Sequence, residues 1–110
     1  FRRVLFRSIN NAHAYIETIC MTPAPKPSLV TVRADNGEVV LRTGGGDWNP
    51  ATSKVTSKNG ITYVTVESVN ERGTLVVEFT SEAGVGGAIE FRLRGARPTR
   101  YGATCVSYIH

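Results

Sequence analysis

The chain has 110 residues, 41% of them hydrophobic, and a formal charge of +4. That length allows one domain with a core that needs no metal, and no apolar run approaches the roughly eighteen residues of a spanning helix. Two distant cysteines and two histidines near the chain ends supply no closely spaced ligand pair, so no metal and no cofactor is expected.

Residues 1–8 read FRRVLFRS. The back-translation TTC AGA CGT GTG CTC TTC CGA TCT fits every one of them and matches the end of a widely used sequencing adapter. We read the segment as a translated library scar from a metagenomic sample, which favours an uncultured microbe or its phage. A basic arm, a truncated signal peptide or an edge strand are the rival readings. Without Arg2, Arg3 and Arg7, ten basic residues face nine acidic ones, a formal +1. A whole-protein field attracting nucleic acid or anionic membrane is therefore not supported.

Residues 9–27 read as an N-terminal strand followed by a Pro-rich connector, and residues 28–110 as the core domain. From Ala14 to Cys20, Ile16, Thr18 and Cys20 alternate with Tyr15, Glu17 and Ile19, the period-two pattern of a strand. Thr22-Pro-Ala-Pro-Lys-Pro-Ser28 cannot donate a regular ladder, since proline lacks the N–H. Ser28–Ala34 places Val30, Val32 and Ala34 on one face. Asp35-Asn-Gly-Glu38 supplies the positive-φ residues of a tight hairpin, with Val39–Arg42 as the return strand.

Thr43–Pro50 (TGGGDWNP) reads as a flexible loop. A second hairpin runs from Lys54–Thr56 through Ser57-Lys-Asn-Gly60 into Ile61–Ser68, with Ile61, Tyr63 and Thr65 opposite Val64 and Val66. Thr74–Thr80 sets Leu75, Val77 and Phe79 against Val76 and Glu78. Ala88–Arg94 directs Ile89, Phe91 and Leu93 inward and Glu90, Arg92 and Arg94 outward. Ala103–Ile109 puts Cys105 and Ile109 on one side and Val106 and Tyr108 on the other. No helical stripe interrupts this pattern. The expected fold is all-β: an Ig-like or jelly-roll antiparallel sandwich of seven to eight strands, with a small closed barrel as the alternative.

First and last strands of a sandwich often adjoin, so Cys20 and Cys105 are expected to form a disulfide; two separate buried thiols are the alternative. A bridge closing that loop would stabilise by about 4 kcal/mol and indicate an oxidising compartment. Catalysis finds no support. His13 and His110 lie where chains fray. Asp47, Glu67, Glu71, Glu78, Glu82 and Glu90 are scattered and single out no carboxyl pair. The glycines at 44–46 and 84–87 lack the ending of a phosphate loop. The expectation is that the chain is not an enzyme.

Two features are candidate ligand contacts. Trp48, the single tryptophan, would stack on a sugar or anchor a partner if it stands on a loop tip; folding back over the sheet edge is the alternative. Arg92, Arg94, Arg97 and Arg100 in FRLRGARPTR would take an anionic glycan, phosphate or acidic partner, unless Glu90 pairs with them on a solvated face. Only Tyr101 lies among them for base stacking, so nucleic acid is not expected.

Thr104-Cys-Val-Ser-Tyr-Ile109 resembles the end of a fimbrial subunit, and VTVRADNGEVV, Val30 to Val40, resembles the Ig-like modules of bacterial adhesins. The resemblance implies an extracellular or cell-surface structural protein: a pilus-like filament subunit or adhesin. It would self-associate through strand edges or by donating its N-terminal strand to a neighbour. The alternatives are a carbohydrate-binding module, with Trp48, Tyr63 or Tyr101 as stacking platforms for glycans, and a phage tail or head structural domain.

Overall fold

The computed structural model describes residues 15–23, 25–80 and 86–110. The expectations placed on residues 1–8, His13 and Glu82 lie outside them. Eight strands follow one another in chain order: β1 (Ile16–Met21), β2 (Leu29–Asp35), β3 (Glu38–Thr43), β4 (Asn49–Lys58), β5 (Ile61–Asn70), β6 (Gly73–Thr80), β7 (Gly86–Leu93) and β8 (Thr99–Ile109). Each pairs antiparallel with the next, and β8 returns to β1, which closes a barrel.

The all-β, antiparallel, eight-strand expectation holds. The sandwich does not: a single ring of paired strands leaves no division into two sheets. The reason lies mainly in β4. Its polar sequence NPATSKVTSK lacks a strong apolar alternation, yet it bridges β3 and β5 and carries the sheet around. β1 is hydrogen-bonded to β2 on one side and β8 on the other.

The alternation read from the sequence sets the wall. Register runs Cys20↔Val30, Thr18↔Val32 and Ile16↔Ala34 between β1 and β2, then Val32↔Leu41 into β3. Across the barrel it runs Val64↔Phe79, Val66↔Val77 and Val77↔Ile89. Phe79, Leu41, Ile89, Val30, Val64, Val66 and Val77 are fully buried and fill the interior. Burying each such side chain contributes about 1.5–3 kcal/mol. Polar residues at interior positions find partners: Thr18 and Ser107 hydroxyls lie 2.8 Å apart, and Ser68 Oγ donates to the Pro50 carbonyl at 2.9 Å.

Both Asn-Gly hairpins form as expected. Asn36 and Gly37, and likewise Asn59 and Gly60, hold positive φ at their β2–β3 and β4–β5 turns, the twist that a two-residue hairpin requires. Arg33, Arg42, Lys54, Glu67, Glu78 and Arg92 are distributed over the outer wall. No helix among the described residues is long and apolar enough to cross a bilayer.

Candidate functional site

Cys20 and Cys105 are register partners on β1 and β8, and they form the expected disulfide across the strand pair that closes the barrel. Cys20 is fully buried. Gly87 on β7 makes room for the bridge, because a Cβ there would lie 2.6 Å from Cys105 Sγ.

Trp48 does not stand on a loop tip. β4 begins at Asn49, one residue later, and the register Leu41↔Asn49 brings Trp48 beside Arg42 on the outer wall. The ring is half-buried, with the Arg42 guanidinium carbon 4.5 Å from its centroid. A cation over an indole face is attracted by the ring quadrupole. Trp48 also borders a cleft of about 270 Å³ with Arg33, Asp35, Glu38 and Val40. These residues belong to the outer faces of β2 and β3, where alternation already directs them outward.

The charge balance in that cleft is unusual. Asp35 and Glu38 are cross-strand partners beside the hairpin turn, so two carboxylates stand side by side, an arrangement that is destabilising. Neither side chain has an ion pair or hydrogen bond among the described residues, and Asp35 Oδ1 is shielded from solvent. Arg33 instead lies over the Tyr15 ring, 3.8 Å from its centroid, and Tyr15 stacks on His110 at 4.7 Å. His110 Nε2 is 3.3 Å from Glu17 Oε1.

The four arginines are not gathered into one site. Arg92 on β7 pairs with Glu90. Arg100 belongs to β8, where its Nη2 lies 3.0 Å from Glu78 and its Nη1 3.9 Å from Glu90. Those carboxylates offset the charge that an anionic ligand would need. Arg94 and Arg97 sit in the turn between β7 and β8.

The other aromatic candidates do not join Trp48. Tyr101 is edge-on to Phe91 at 6.2 Å and borders a separate cleft with Pro23 and Pro25, while Tyr63 is half-buried on β5. Sequence reasoning passed over Asp35 and Glu38 because both read as turn residues. The usable signal was the hairpin register, which makes them neighbours on the face that carries Arg33 and Val40.

Two further surface features lie apart from the cleft. Residues 52–58 of β4 pair with β5 but not with β3, whose partnership ends at Val39↔Ala51. Beside the disulfide seam, Met21, Leu29, Val106 and Tyr108 are exposed. No protein-family model, curated protein or solved structure matches the chain.

Proposed function

We propose that this chain is an extracellular structural or adhesive module that acts by contact, meeting neighbouring copies through the open edge of β4. The observation that carries this reading is the seven-residue stretch Thr52–Lys58, paired among the described residues on its β5 side alone. An unpaired edge offers a row of main-chain donors and acceptors to another strand. The Cys20–Cys105 disulfide adds support, since such bonds persist in oxidising compartments.

Donation of the N-terminal strand is not part of this proposal. β1 is paired on both sides and covalently tied to β8, so releasing it would cost two ladders and a disulfide. The exposed strip at Met21, Leu29, Val106 and Tyr108 gives a second surface for packing once copies are aligned.

Sedimentation equilibrium from micromolar to millimolar protein, with hydrogen exchange followed in parallel, tests the reading. The expected result is reversible association accompanied by slower exchange within residues 52–58. A monomer at every concentration, with unchanged exchange there, refutes it.

A further inference from the structure

We propose that the cleft formed by Trp48, Arg33, Asp35, Glu38 and Val40 binds a neutral sugar ring. The cleft lies on the outer face of β2 and β3, and the proposal stands whether or not the β4 edge pairs.

The argument starts from a local conflict. Asp35 and Glu38 face each other across the hairpin without an ion-pair partner among the described residues. Asp35 Oδ1 is shielded from solvent and accepts no hydrogen bond from the described residues, whereas buried acceptors are normally satisfied. Departures of this kind from local consistency concentrate at functional sites. A ligand that brings hydroxyl donors between the two carboxylates would relieve both costs.

The charges around the cleft select the ligand class. A cation would be attracted by Asp35 and Glu38 but opposed by Arg33, with Arg42 just behind Trp48. An anion would be attracted by the arginines and opposed by the carboxylates. A neutral polyol uses both sets: its hydroxyls donate to Asp35 and Glu38 and accept from Arg33. Hydrogen bonds with one charged partner are the stronger kind. Val40 and the indole of Trp48 add an apolar surface for the C–H face of a pyranose. At about 270 Å³ the cleft is smaller than the roughly 300–1,000 Å³ of sites for drug-sized ligands. It suits one ring, with the rest of a glycan running into solvent.

Trp48 is the only tryptophan, so intrinsic fluorescence reads this cleft directly. The probes are the methyl glycosides of glucose, galactose and mannose, and N-acetylglucosamine. Choline and inorganic phosphate serve as the cationic and anionic comparisons. The expected result is a saturable fluorescence change with at least one neutral sugar, weakened about tenfold or more in Glu38→Gln and Asp35→Asn. Saturation-transfer NMR on Trp48→Ala should show loss of the same sugar. Thermal melts and intact mass establish that each variant is folded and disulfide-bonded. Silence with all four sugars overturns the proposal. So does a sugar response that survives Glu38→Gln and Asp35→Asn, or saturable binding of choline or phosphate in place of a sugar.

Discussion

Gly87 on β7 faces the sulfur of Cys105 on β8, and a Cβ on Gly87 would lie 2.6 Å from Cys105 Sγ while also striking the Glu78 carbonyl oxygen. The disulfide that closes the barrel is thus accommodated by a missing side chain on the neighbouring strand. Gly87→Ala is expected to destabilise the fold by about 1–3 kcal/mol, the usual cost of overpacking. Urea denaturation measures it. In a Cys20→Ala, Cys105→Ala background the same change should cost less, because the sulfur contact is gone while the Glu78 carbonyl remains. Equal costs in the two backgrounds would show that the backbone contact alone sets the penalty.

The disulfide itself ties residues 85 positions apart. Replacing both cysteines with alanine should remove about 4 kcal/mol by restoring freedom to the unfolded chain. Hydrogen exchange should then accelerate first in β1 and β8, since their shared ladder is where the barrel closes. Uniform acceleration over all eight strands would instead mean that the bridge acts on the unfolded state alone.

Gly45 and Gly60 separate backbone strain from crowding. A Cβ meets nothing within 4 Å at either position, but only Gly60 has a positive φ, +78°. Gly60→Ala should cost about 1 kcal/mol or more, whereas Gly45→Ala should be neutral or slightly stabilising, by about 0.4–1 kcal/mol. Paired thermal melts of the two variants check the sign.

Lys54 and Lys58 alternate with Thr52 and Thr56 along the open edge of β4. Edge lysines oppose strand-to-strand association. Lys54→Thr with Lys58→Thr should therefore strengthen self-association in sedimentation experiments, and added salt should strengthen that of the unaltered protein by screening the same repulsion. Self-association that weakens as salt is added would mean that opposite charges, and not strand pairing opposed by the edge lysines, hold the copies together.

Strand content and facing were legible because period-two alternation is local. Val30, Val32 and Ala34, then Val64 and Val66, then Leu75, Val77 and Phe79 each share a face, and the Asn-Gly turns between strands need only two positive-φ residues. The cysteine pairing was legible in part, from the position of the two strands at opposite ends of the chain. β4 was the obscure element. Its outward residues after Pro50 are threonine and lysine, and its inward ones are small or polar apart from Val55, so burial left only a faint pattern.

The sequence by itself determined that this protein is an all-β chain of alternating strands, which residues of β2, β5 and β6 share a face, and where its tight hairpins lie; Leu93, expected to point inward, is exposed at the end of β7. The tertiary structure decided that the sheet closes as a barrel, that Trp48 lies over Arg42 beside Asp35 and Glu38, and that Arg92 and Arg100 are held by Glu78 and Glu90. The physical reason is one of range. Alternation and turn chemistry act over a few residues, whereas closure and the cleft depend on which strands become neighbours and in what register. Those pairings are settled only when the whole apolar face is buried together.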